Sequence, residues 1–80
     1  MSALVELYGH AECSLCAAAR VQLRRLRSEL GFELVEHDIH ADERWLRAYF
    51  ERVPVVCVDG AEVFDFVVDE EVLRGLLAGD

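Results

Sequence analysis

The 80-residue sequence predicts one α/β domain around a four-stranded mixed sheet, with elements in the order β-α-β-α-β-β-α and strands in the order 2-1-3-4. Three observations lead there. Apolar runs at residues 3–8 and 32–39 flank a helical pattern at 14–30, and a strand–helix–strand unit with short joints closes as a right-handed parallel crossover. Asp59-Gly60 separates two further strand-like runs, and both residue types tolerate the positive φ of a two-residue hairpin turn. Cys13 and Cys16 lie where the first strand hands over to the first helix, a Cys-x-x-Cys position with redox chemistry available to it.

The first strand holds Ala3, Leu4, Val5, Leu7 and Tyr8, with Glu6 alone breaking the run, which suits a central strand ended by Gly9. In the first helix Leu15, Ala19, Leu23, Leu26 and Leu30 recur at steps of three or four and predict the buried face. Arg20, Arg24, Arg25 and Arg27 predict a solvated face paired with nearby acids. Gly31 is placed to cap the helix C-terminus. Phe32, Leu34, Val35 and Ile39 mark the second strand, with His37 and His40 expected at its surface end. Asp42 is the expected N-cap of a short helix that packs through Trp45, Leu46 and Tyr49. Residues 54–58 form the third strand, and 61–67 return antiparallel. Asp69 is the expected cap of a last helix that turns Val72, Leu73, Leu76 and Leu77 to the sheet.

Bulk properties narrow the function classes. A net charge of −8 argues against nucleic acid, whose phosphates attract the opposite sign. All eight basic residues are Arg, so no lysine is present to stabilise a thiolate. No apolar run approaches the roughly 20 residues of a membrane span, and the first residues lack the basic and apolar regions of a signal peptide. Three cysteines are too few and too odd for a disulfide scaffold. A cytoplasmic monomer with reducible thiols, no membrane partner and no cofactor is expected.

The chemistry centres on Cys13-Ser14-Leu15-Cys16. A helix N-terminus carries unpaired N–H groups and about half a unit of positive charge, which favours a thiolate. The second cysteine, one turn on, is near enough to close a disulfide. The first sulfur then attacks and the second resolves. The competing readings are a structural pair and half a zinc site. Zinc takes about four ligands. Three thiols and His10 would make that number, but Cys57 lies three residues along a strand from Pro54, roughly 10 Å, and is too far away if Pro54 sits by the dithiol. Cys57, between Val56 and Val58, reads as core. His10 is either a proton shuttle or a loop histidine without a role. Glu12 reads as a solvated loop charge that still places negative charge next to Cys13, against the helix dipole.

The segment Leu7-Tyr8-Gly9-His10-Ala11-Glu12-Cys13-Ser14-Leu15-Cys16, together with Val53-Pro54-Val55-Val56 and the Asp59-Gly60 hairpin, resembles the glutaredoxin-like small thioredoxin-fold proteins of bacteria. The resemblance spans nearly the whole chain. It implies a minimal thioredoxin fold and a thiol–disulfide oxidoreductase with Cys13 as nucleophile and Cys16 as resolving thiol. It also implies a cis Val53–Pro54 bond facing the dithiol, with the Val53 backbone pairing to substrate. The alternative on the same fold is a non-catalytic binding module or subunit with passive cysteines.

Four features depart from glutaredoxins, which carry Cys-Pro-Tyr-Cys, a lysine just before it, Thr-Val-Pro, and Gly-Gly with an acidic residue after the fourth strand. Here stand Ser14-Leu15 in the motif, His10 and Glu12 before it, Arg52-Val53-Pro54, and Phe66-Val67-Val68-Asp69. Arg52 and Asp69 remain as candidate substrate-binding residues beside Val53 and Pro54. Glutathione, the cosubstrate a glutaredoxin resemblance implies, is expected to bind weakly or not at all. The expected partner is a protein disulfide or a small thiol compound.

Overall fold

A computed structural model describes residues 3–78. β1 (Leu4–Gly9), α1 (Ser14–Leu30), β2 (Glu33–Asp38), α2 (Glu43–Tyr49), β3 (Val55–Val58), β4 (Ala61–Asp65) and α3 (Glu70–Ala78) follow the expected order, with a 3-10 turn at Ile39–Ala41 ahead of α2. The sheet order is β2-β1-β3-β4. β1 runs parallel to β2, with Leu4 opposite Glu33, and antiparallel to β3, which is antiparallel to β4.

Local chemistry fixes the element ends. Gly31 takes φ 76° and donates its N–H to the Arg27 carbonyl at 2.8 Å, closing α1. The hairpin turn has φ 49° at Asp59 and 86° at Gly60. Its Asp59 carboxylate accepts the Leu4 N–H at 2.9 Å, tying the turn to the start of β1. Asp42 caps α2 by accepting the Arg44 N–H at 2.9 Å, and Asp69 caps α3 by accepting the Val72 N–H at 3.2 Å.

The pleat divides the core between the two faces of the sheet. Val5, Leu7 and Val56 pack with Ala19, Leu23 and Leu26 of α1 and Leu73 of α3. Tyr8, Val55 and Cys57 pack with Ile39 and with Trp45, Leu46 and Tyr49 of α2. Cys16 and Val53 belong to this second group, so the dithiol end of α1 closes over the end of the sheet.

Several expectations need correction. β1 ends at Gly9 as expected but includes it, the glycine pairing opposite Asp38 of β2. The buried stripe of α1 is Cys16, Ala19, Leu23 and Leu26; Leu15 and Leu30 are exposed. Cys16 takes the first-turn place that Leu15 was expected to fill, because the stripe steps back from Ala19 by three residues and not four. Phe32 and Ile39 are buried but flank β2 instead of lying in it. Pro54 precedes β3, and β4 stops at Asp65 because Phe66 turns to φ 67° and donates its N–H to the Pro54 carbonyl at 2.9 Å. On α3 only Leu73 is buried and Leu77 partly so; Val72 and Leu76 face outward, since so short a helix offers the sheet a single stripe. His37 is half-buried under Trp45, not a surface strand end.

Candidate functional site

The site is the start of α1. Cys13 holds an extended backbone (φ −104°, ψ 120°) and is itself the N-cap: its sulfur accepts the Cys16 N–H at 3.2 Å. A sulfur occupies the place where a Ser or Asp oxygen commonly meets the orphan amides of a first turn, and negative charge there is favoured by the helix dipole. No acidic side chain lies in that turn to compete. Cys13 is half-buried, whereas Cys16 is fully buried one turn below. Burial, with the hydrogen bond to Cys13 next, pushes the Cys16 thiol up to about 11. The His10 backbone and the Arg20 charge pull it the other way.

Gly9 explains how closely that thiol is packed. A β-carbon at residue 9 would stand 2.8 Å from the Cys16 sulfur and 3.1 Å from its Cβ. Such distances leave no room for any side chain. A cavity of about 230 Å³ opens at the same corner, lined by Gly9, His10, Arg20, Glu36, His37 and Asp38 among others.

The Val53–Pro54 bond is cis, as the resemblance implied. Pro54 is fully buried, and Val53 packs in the same cluster as Cys13 and Cys16. Among the described residues the Val53 N–H and C=O have no backbone partner outside the strands. Arg52 is engaged by β4: it meets Glu62 at 2.6 and 3.1 Å and Asp65 at 3.4 Å, and its guanidinium lies 5.7 Å from the Tyr49 ring centre. The Asp69 carboxylate is occupied by the cap of α3. Where glutaredoxins carry two glycines, Phe66 and Val67 expose their side chains beside Leu15, Ala18 and Gln22 in a shallow groove of about 70 Å³.

Cys57 is buried in the core opposite Glu6. Burial, then Glu62 and Glu6, raises its thiol. His10 sits at the cavity, its ring 5.6 Å from that of His40, and Glu12 is exposed. Among the described residues, no three His, Cys, Asp or Glu side chains group to hold a metal.

Sequence reasoning missed a polar cluster under α2. His37 Nε2 meets the Glu6 carboxylate at 3.0 Å, and the Tyr8 hydroxyl donates to the same oxygen at 3.4 Å. The His37 ring stacks on Tyr8 at 4.6 Å, and Trp45 and Tyr49 close on Tyr8 at 5.4 and 4.8 Å. Burial, then Glu6, lifts the Tyr8 phenol to about 12. The signal was present: Glu6 and Tyr8 stand two apart and share a face, and parallel pairing sets His37 beside Tyr8.

The comparisons with known proteins agree with this fold. An uncharacterized protein of Mycobacterium tuberculosis, Rv0508, is 40% identical over 79 residues, covering 92% of this chain and 81% of its own length. The NMR structure of protein Ne2328 from Nitrosomonas europaea superposes with a TM-score of 0.83 at 29% identity, over 96% of this chain and 93% of that one. A mutant thioredoxin from Halobacterium salinarum reaches a TM-score of 0.70 at 21% identity, over 95% of this chain and 72% of that one, which shows the thioredoxin fold alone. The family described as Glutaredoxin-like domain (DUF836) matches residues 4–78, and the chain therefore belongs to the glutaredoxin-like family.

Proposed function

We propose that the protein is a small dithiol oxidoreductase that reduces protein or mixed disulfides. The observation that carries this reading is the pairing of a half-buried Cys13, its sulfur held as the N-cap acceptor of α1, with a fully buried Cys16 one turn beneath it. In the first step the Cys13 thiolate attacks a substrate disulfide; one substrate sulfur leaves as a thiolate and the other stays bonded to Cys13. In the second step Cys16 gives up its proton and attacks the Cys13 sulfur. A Cys13–Cys16 disulfide forms, and the remaining substrate sulfur leaves and takes a proton. The substrate gains two electrons and the dithiol loses them. A reducing thiol restores the pair.

Pro54 and the Val53 backbone, which has no backbone partner among the described residues, support a substrate laid alongside the dithiol as an extended segment. Glutathione is a poor fit in this reading. The Phe66 and Val67 side chains fill the place where backbone amides would approach the peptide, and Arg52 already serves Glu62 and Asp65.

The test is a trap. A Cys16→Ser variant exposed to oxidised proteins should accumulate a mixed disulfide at Cys13, identified by mass spectrometry, and wild type should complete the exchange. A wild type that exchanges with neither protein nor small disulfides would leave the passive binding module as the answer.

A further inference from the structure

The two sulfurs of the site have opposite needs. Cys13 stands at the open end of the helix dipole, but Cys16 is sealed under the first turn and must still become a thiolate to finish the exchange. Apart from the His10 backbone, which favours the thiolate, the side chains around it hold little to help. Leu7 of β1 turns an apolar side chain into the core, and Tyr8, Cys57 and Tyr49 hold their protons more firmly than usual. The charged groups at this corner line the cavity beside Gly9, the residue against which the Cys16 sulfur packs.

The His10 ring lies edge-on to that of His40, and the pairing of the other groups leaves one charge over. Asp38 is bonded by His40, through the backbone N–H at 2.9 Å and the ring at 3.1 Å. His37 is bonded to Glu6. Glu36 is taken by Arg24 in a two-point contact at 2.7 and 2.8 Å, and Arg20 reaches the same carboxylate only at 3.5 Å. Two guanidiniums thus share one carboxylate. Arg20 is four residues after Cys16 on α1, so the two project from one side of the helix. Its side chain is 29% exposed, shielded enough for its charge to act across a short distance.

We infer that Arg20 is a positioning residue for the resolving half of the exchange: its partly uncompensated charge, held in the Gly9 cavity by Glu36, stabilises the Cys16 thiolate as it forms. The Arg20–Glu36 contact sets the strength of the effect, and Glu36 moderates it. The inference rests on the oxidoreductase reading for its purpose, but the electrostatic claim can be tested without turnover.

The measurement is the titration of Cys16 in the reduced protein, followed by the NMR shift of its β-carbon. Arg20→Gln should move the midpoint to higher pH by roughly half a unit to one unit, a threefold to tenfold loss of thiolate at a given pH. Arg20→Lys should restore most of it. Glu36→Gln should move the midpoint the other way, because both guanidiniums then lose their counter-charge. General loosening of the site would move both variants in the same direction. In single-turnover release of substrate from the Cys13 mixed disulfide, Arg20→Gln should be slower by roughly twofold to threefold near neutral pH, because the more basic thiolate is also the better nucleophile, with Cys13 alkylation unchanged. An unmoved midpoint in Arg20→Gln, or shifts of one sign in both variants, overturns the role of Arg20. A wild type that exchanges no disulfide overturns the oxidoreductase reading, while the titration still decides the electrostatic claim.

Discussion

Replacing Gly9 with alanine is the sharpest single test of how the dithiol is built. The new β-carbon would sit 2.8 Å from the Cys16 sulfur and 3.1 Å from its Cβ. Neither atom belongs to a flexible tip; Cys16 is fully buried in the first turn of α1. Gly9 is not among the positive-φ residues, so alanine can adopt its backbone, and the whole penalty is steric. Overpacking of this kind costs about 1–3 kcal/mol. The lower entropy of the unfolded alanine chain offsets about 0.4–1 kcal/mol of that. A net loss of about 1–2 kcal/mol should lower Tm by roughly 4–16 °C in a domain of this size. Thermal and urea unfolding under reducing conditions measure it. Cys16→Ala removes the sulfur, so the two substitutions should be less than additive by at least about 1 kcal/mol in a double-mutant cycle. Gly75 in α3 is the control, because a β-carbon there meets nothing within 4 Å. Gly75→Ala should stabilise by about 0.5–1 kcal/mol. If Gly9→Ala were as stable as wild type, or additive with Cys16→Ala, the close packing of strand end against thiol would be wrong.

With limiting alkylating reagent at neutral pH, Cys13 should be labelled first and Cys16 and Cys57 late, as peptide mapping would show; early labelling of Cys16 contradicts its burial. Folding stability should fall in alkali. Cys16 rises from 9.0 to about 11 on folding, so above pH 9 the unfolded chain loses that proton first, and stability drops until the folded thiol also titrates. Cys16→Ser should remove the Cys16 share of the loss that begins near pH 9 and leave that of Cys57, whose buried thiol is also raised; identical alkaline limbs would refute the assignment. In acid the sign reverses. Asp42 is held down to about 2 by Arg44, and Glu36 is lowered by Arg24, so their stabilising share is present above the ordinary carboxylate range and is lost as pH falls through it. Denaturation midpoints between about pH 5 and pH 2 test this. Finally, Phe66→Gly relieves a φ of 67° that side chains rarely adopt, and should leave stability equal or higher by about 1 kcal/mol. Combined with Val67→Gly it should tighten glutathione binding in an NMR titration; unchanged binding would mean that those side chains are not the obstacle.

Much of this architecture was legible in one dimension because its signals are local. The Cys-x-x-Cys before a helical stripe, the Asp59-Gly60 turn, and the caps at Gly31, Asp42 and Asp69 each involve neighbours within four residues, where spacing alone fixes geometry. The order of strands followed from one crossover and one hairpin. Which apolar residues reach the core was less legible. Val72 and Leu76 look like core in a helical pattern, and their exposure depends on which stripe of α3 meets the sheet.

The sequence by itself determined the elements, the sheet order and the place of the Cys13–Cys16 pair at the start of α1, since these rest on backbone propensity and on contacts close along the chain. Tertiary structure alone decided what each side chain faces. It set Gly9 against the Cys16 sulfur, gave Arg52 to Glu62, and put Arg20 and Arg24 on a single carboxylate. Those pairings join residues 7 to 16 apart and depend on strand register and helix rotation. A one-residue change in either would assign every charge a different partner, and no local spacing records which one is adopted.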